Sequence, residues 1–482
     1  MAVTPLLACD YCATLHKRAP LEPAQIASCT RCGEELYRQS RLSLNGWIAL
    51  TLTALILFVI ANYFPIAHLR IQGMQVDASL PGALLLTWRQ GHEMVAIMTA
   101  MAGFWMPLTQ LLITLWALMA VRAGRLPGDF AWGLRVLHWV EPWSMIPVLT
   151  LAIIVAVVKF SSLADITPAP AIWAFGILTF LLTGLTRVAA RNIWRYAEDA
   201  GLVPISGLAA TSTGEDADTR LGAQACTDMH GDANANVSKG NAARILLSCT
   251  CCGYVQAAPA GLFTRYIEDP GAALRCRRCN SRIYPRKPDM RARVWALLIA
   301  ASIIYLPANL LPIMRVRTLV EDGNHTILGG VLELWRLGSP DLAIIVFVAS
   351  IVVPVTKIVV LVLLMLRDRW QGEAIARSRT RLYGFVEFIG QWSMLDVFVV
   401  ILMSAMANFP GVSQVLAGPG AASFGMVVVL TMLAAHCFDP RSAWDHGPVT
   451  AASPRTTSLS STPASMPLVA NQSARRRAES NL

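Results

Sequence analysis

Eight cysteines of this 482-residue chain stand in four Cys-x-x-Cys pairs: Cys9 with Cys12, Cys29 with Cys32, Cys249 with Cys252, and Cys276 with Cys279. Such a turn presents two thiolates to one point in space, and two turns complete a tetrahedral sulfur shell. Sixteen residues separate the first two pairs and twenty-three the last two, which is four-cysteine zinc-ribbon spacing written twice. Gly33, Gly253 and Asn280 directly follow their knuckles and tolerate the left-handed backbone that these turns often need. The predicted chemistry is structural: about two zinc ions per chain, each folding a head too small to have a core of its own. Thiol redox chemistry is the competing reading, but a redox pair needs no second pair at ribbon spacing. His16 and Cys251 are spare donors beside four better-spaced thiols, and Cys226 and Cys437 are isolated. This usage fits a reducing compartment with metal sites, not a disulfide scaffold.

A second group of residues draws attention because its surroundings should exclude it. Lys357 and Asp396 interrupt the otherwise uncharged apolar stretches 342–366 and 388–408. In lipid such a charge costs at least about 2.5 kcal/mol, so each requires a partner or a wet cavity, and each is the expected partner of the other. Thr356, Ser350, Ser393, Ser404 and Asn408 in these stretches, and Asn309 in the preceding one, supply further polar groups. Two readings stand: the pair glues two helices, or it belongs to a polar seam within the bundle. Lys159 ends another apolar stretch and either snorkels to the surface or faces the same interior.

The elements that carry these residues are duplicated. With an offset of 247, Cys29, Cys32 and Tyr37 fall on Cys276, Cys279 and Tyr284, Asn62 on Asn309, Pro65 on Pro312, Trp88-Arg89 on Trp335-Arg336, Pro107 on Pro354 and Thr109 on Thr356. Lys357 then aligns with Gln110, and Asp396 with Pro147 at an offset of 249, so the charges are kept in one half only. Each copy reads as a cysteine head, a long apolar segment, a short polar loop and further apolar segments.

Composition agrees with a membrane protein: 55% hydrophobic, 15% charged, mean hydropathy +0.50. The net charge of +10 arises from basic residues beside apolar segments, where they set topology and do not indicate nucleic acid. Eight spans are expected, at 44–64, 94–121, 142–158, 166–186, 294–314, 342–366, 388–408 and 419–438. Basic residues precede the first span and fill the loops after the second span of each half, which places both heads and both termini in the cytosol. The opposite loop at 315–325 alternates before Glu321-Asp322-Gly323-Asn324 and predicts a hairpin, with a weaker copy at 69–77. Residues 1–8 have no basic n-region and read as part of the first head, not as a signal peptide.

The fold class expected is therefore an all-α polytopic membrane protein of two tandem repeats, each a cytosolic zinc ribbon of small β structure plus four transmembrane helices. Its boundaries fall at 1–43 (first ribbon), 44–200 (first four helices), 201–244 (linker), 245–290 (second ribbon), 291–446 (second four helices) and 447–482 (tail). Linker and tail are rich in small and polar residues and read as disordered, the tail ending in Arg475-Arg476-Arg477.

The double Cys-x-x-Cys unit, Ala61-Asn62-Tyr63-Phe64-Pro65-Ile66, Asn309-Leu310-Leu311-Pro312-Ile313, Val353-Pro354-Val355-Thr356-Lys357, Gln391-Trp392-Ser393-Met394-Leu395-Asp396-Val397-Phe398 and Cys437-Phe438-Asp439-Pro440-Arg441 together resemble the paraquat-inducible protein A family. The resemblance covers about residues 9–200 and 245–445. It implies a non-enzymatic inner-membrane protein of a Gram-negative bacterium that moves phospholipid between membranes with a periplasmic mammalian-cell-entry (MCE) domain tunnel protein. It further implies that Lys357, Asp396, Thr356, Ser393 and Lys159, which fall on matching motif positions, line the lipid route. Pro147, standing where the second copy has Asp396, departs from a symmetric role for the halves. No GxxxxGK[ST] loop occurs, which argues against direct use of ATP. An ion- or proton-coupled transporter of small solutes and a passive anchor for the tunnel partner are the competing functions.

Overall fold

The computed structural model describes residues 6–18, 21–22, 25–71, 74–160, 165–186, 188–204, 246–258, 274–318, 322–336, 338, 340–366, 372–406 and 413–444. The expected linker, apart from its first four residues, and the expected tail lie outside the described residues, as does Cys226.

The first half enters its first span, helix α1 (Leu44–Tyr63), through Ser43, whose side chain accepts from the Gly46 amide at 3.3 Å. The helix stops at Phe64, held extended before Pro65. Strands β5 (Ala67–Ile71) and β6 (Met74–Ala78) follow, then helix α2 (Leu80–Arg89). The second span is helix α3 (Glu93–Ala100), a π-turn at Met101–Trp105 and helix α4 (Met106–Arg122). The third joins α5 (Phe130–Val140) to α6 (Ile146–Phe160) through a 3₁₀ turn at Glu141–Trp143. Strand β7 (Asp165–Pro168) leads to α7 (Pro170–Leu185), which bends by 55° into α8 (Ala190–Asp199).

The second half repeats this order with α9 (Met290–Leu310), β12 (Met314–Thr318), β13 (Asp322–His325), α10 (Ile327–Arg336), α11 (Pro340–Phe347), a π-turn at Val348–Val352, α12 (Val353–Leu366), α13 (Glu373–Gly390), a 3₁₀ turn at Gln391–Met394, α14 (Leu395–Met406), β14 (Ser413–Ala417) and α15 (Pro419–Cys437). Among the described residues seven helices are long and apolar enough to cross a membrane, or eight if the bent α7 and α8 pair is taken as one span.

The π-turns sit at the duplication offset and have a common cause. Pro107 and Pro354 each follow directly behind, lack an amide hydrogen and crowd the carbonyl four residues earlier, at Gly103 and Ser350. A widened turn relieves that crowding without ending the helix.

Three features differ from the sequence expectation. The expected fourth span begins at 166, but Ile166 lies in β7, paired with Leu69 of β5. In each half the predicted hairpin gains a third antiparallel strand from between the third and fourth spans, giving the orders β6-β5-β7 and β13-β12-β14. A short apolar strand next to an apolar helix carries no break in hydropathy, so composition fused them. The expected short polar loops contain the helices α2 and α10, capped alike by Ser79 on Gly82 and by Thr326 on Gly329, each at 3.2 Å.

Within each half the first span packs on the fourth, α1 on α7 and α9 on α15. The halves meet where their third spans touch, α6 against α14. Every residue of α14 except Ala405 is buried, because α2 and α15 also pack on it. Ser404 donates to the Gln90 side chain just beyond α2 at 3.1 Å.

Candidate functional site

Each head is built from two small antiparallel hairpins. In the first, β1 (Leu6–Ala8) pairs with β2 (Leu15–Lys17), and β3 (Ile26–Ser28) with β4 (Glu35–Arg38). In the second, β8 (Leu246–Ser248) pairs with β9 (Val255–Ala257), and β10 (Leu274–Arg275) with β11 (Arg282–Ile283). All four knuckles close the same way: Ala13, Gly33, Gly253 and Asn280 donate their amides to Cys9, Cys29, Cys249 and Cys276 carbonyls at 2.9 Å. All four closing residues are left-handed, with φ between 57° and 82°. Three were legible as Gly or Asn. Ala13 was not, because its side chain pays a steric penalty there that the knuckle imposes.

The knuckles bring the predicted cysteines together as two groups of four, with all ligand atoms of a group within 4.8 Å of one another. Cys9 and Cys32 sulfurs approach to 3.5 Å, Cys12 and Cys29 to 3.4 Å, Cys249 and Cys279 to 3.5 Å, and Cys252 and Cys276 to 3.6 Å. A tetrahedral metal with sulfurs at about 2.3 Å would hold them about 3.8 Å apart, so both groups fit such an ion. Seven of the eight are buried and Cys32 is half-buried.

Polar neighbours support the sulfurs. The His16 ring nitrogen lies 3.3 Å from Cys29, the Thr14 hydroxyl 3.2 Å from Cys12, and the Ser281 hydroxyl 2.9 Å from Cys249 and 3.0 Å from Cys279. His16 and Cys251 stand outside the sets of four, and Cys251 is buried beside Cys279. Thr14 and Ser281 carried the only sequence signal available: a hydroxyl two residues past a knuckle.

Inside the membrane span, Lys357 is 1% exposed on α12, and its ammonium donates to the Gly390 carbonyl at 2.8 Å, where α13 gives way to the 3₁₀ turn. Asp396 is buried at the start of α14, and its Oδ2 has no protein partner. The expected mutual pair is therefore absent: no ion pair joins Lys357 and Asp396 among the described residues. The reason is local to Lys357, whose ammonium finds the Gly390 carbonyl at the start of the 3₁₀ turn. Ser393 is buried with its hydroxyl unpartnered, and Thr356 is half-buried beside Lys357. Gln110, the first-half counterpart of Lys357, is buried with Oε1 unpartnered. Lys159 lies in the last turn of α6, and its side chain falls outside the described residues.

Two tandem four-helix membrane halves, each led by a four-cysteine head, define a polytopic membrane protein of duplicated architecture. The Paraquat-inducible protein A family profile matches residues 44–198 and 292–447, one region per half, and the chain belongs to that family. It is 28% identical over 447 residues to the intermembrane transport protein PqiA of Escherichia coli strain K12, covering 91% of this chain and 95% of that one. The lipophilic envelope-spanning tunnel protein A of the same strain is 27% identical over 442 residues, covering 91% and 90%. A probable intermembrane transport protein of Haemophilus influenzae is 27% identical over 442 residues, covering 90% and 94%. No solved structure matches.

Proposed function

We infer that this chain is the inner-membrane component of a lipid transport system linking the inner and outer membranes. It works with a periplasmic MCE-domain tunnel protein, moves phospholipid without altering it chemically, and holds two zinc ions in cytosolic heads, with both termini in the cytosol. The observation that carries the reading is the seam of Lys357, Ser350, Ser393 and Asp396, buried in spans and only partly satisfied by protein atoms. Buried polar groups left without partners in a native core usually mark a function. The names of the relatives, intermembrane transport and envelope-spanning tunnel proteins, support the same class.

Photocrosslinking amino acids at Thr356 and Ser393 test the route. Phospholipid recovered on both positions in growing cells is the expected result, together with loss of lipid transfer in Lys357→Ala protein that still inserts and keeps its metal. Crosslinks to protein alone, with transfer intact in that variant, would remove the reading. Copurification of an MCE-domain protein tests the partner separately.

A further inference from the structure

The two cysteine heads touch far more than the spans they precede. Head one, which leads into the first half, sets Tyr11 edge-on to Tyr383 of α13 at 6.4 Å between centroids. Its second knuckle lays the Arg31 guanidinium over the Trp444 ring at 5.0 Å, and Arg377 of α13 donates to the Arg31 carbonyl at 3.0 Å. Cys9, Cys12 and Cys29 share one apolar cluster with Ala376 and Trp444. All of these partners belong to the second half.

Head two, which leads into the second half, does the converse. Arg278 stands over Trp194 of α8 at 5.5 Å and pairs with Glu198, both in the first half. Arg31 and Arg278 are duplication mates, so the same knuckle arginine reaches a tryptophan of the opposite half twice. Other contacts tie the heads to each other. Arg191 of α8 pairs with Asp10 in the first knuckle of head one and donates to the Thr250 carbonyl in the first knuckle of head two at 3.0 Å. Glu198 receives Arg18 from head one as well as Arg278 from head two.

We propose that the heads form a crossed, metal-dependent clamp, in which each loaded head seats its knuckle arginine on the opposite half and so fixes the separation of the two halves at their head-side ends. The seat exists only while a knuckle is shaped, because Arg31 and Arg278 lie between the two ligands of their pairs. A small head without its metal loses that shape. The seam at Asp396 lies where the two halves touch, so the clamp sets the spacing of the interface that contains it. The inference goes beyond the transport reading and does not depend on it, since no lipid enters its test.

The measurement is the distance between nitroxides carried on genetically encoded keto amino acids at Arg122 and Ser378, exposed head-side positions of opposite halves, in full-length protein in nanodiscs with native cysteines kept. Removing metal with a chelator should lengthen and broaden the distance, and added zinc should restore it. Arg31→Gln with Arg278→Gln should lengthen it with two zinc ions still bound. Should that variant lose metal, Trp194→Ala with Trp444→Ala removes the seats while leaving the heads untouched, and should lengthen it in turn. An unchanged distance on metal removal, or in a seat variant that retains both ions, overturns the clamp.

Discussion

At the scale of single residues, the separation of Lys357 from Asp396 changes what their removal should do. Lys357 donates to the Gly390 carbonyl and no ion pair joins it to Asp396 among the described residues, so the two substitutions should be energetically independent. Lys357→Met with Asp396→Leu should destabilise by the sum of the single variants to within about 0.5 kcal/mol, where a buried pair would couple far more strongly. Chemical unfolding in detergent measures it, and strong coupling would restore the ion-pair reading. The metal heads yield a second expectation: Cys276→Ser with Cys279→Ser should lower bound zinc from two ions to one by elemental analysis, because the two sets share no ligand. A count that stays at two would mean that other donors hold the ion. The two groups of four cysteines were fully readable from spacing alone, since knuckle geometry is local. The partner of Lys357 was not, since it depends on how the irregular turns of the second and third spans of that half come together.

At the scale of elements, the junction of β14 with α15 leaves no room for a side chain at Gly418 or Gly420. A Cβ placed on Gly418 would stand 2.1 Å from the Pro312 carbonyl, and one on Gly420 would stand 2.7 Å from the Leu311 carbonyl. Gly418→Ala should therefore force the sheet away from the end of α9 and destabilise by about 1–3 kcal/mol, whereas Ala169, its first-half counterpart, already carries a Cβ. Thermal unfolding compares Gly418→Ala with Ala169→Gly; equal and small effects would mean that the junction yields freely. Past the other end of α15, Asp439 is 1% exposed and accepts from the Arg441 side chain at 3.0 Å. Burial opposes its charge, yet Arg441 and Arg286 outweigh burial and hold the carboxyl below its ordinary value. Its contribution is thus full above the unfolded value of about 3.9 and is lost as pH falls through the lower folded value. Asp439→Asn protein should be less stable than the parent at pH 7, the gap closing in the acid range; a gap independent of pH would contradict the ion pairing. The spans themselves were legible because lipid demands long apolar runs, but β7, β14, α2 and α10 were not, since they are short and borrow the composition of their neighbours.

For the whole molecule, the duplication seen in sequence is an architectural repeat, down to the paired π-turns and matched helix caps. The orientation proposed from the flanking charges predicts that a cysteine at position 322, in a variant whose native thiols are accounted for, is labelled from outside intact cells while one at 216 is protected. The reverse pattern would invert the protein and place its heads outside. What the repeat concealed was the crossing of the heads, because similarity between copies says nothing about which copy a head will rest on.

That crossing has a consequence for the order of synthesis. Arg31 emerges from the ribosome among the first residues, yet the tryptophan that seats it lies 413 residues later. The first head must be shaped and then wait, unseated, while the spans of both halves are inserted. A chain stopped just before Pro440 should insert fully and bind both ions, but leave its earliest-made domain open to protease while the second head, whose seat was completed long before, stays protected. Residues 440–444 would act as the latch on the head made first, and quality control that inspects the amino-terminal head would in effect be reading whether synthesis had passed Trp444.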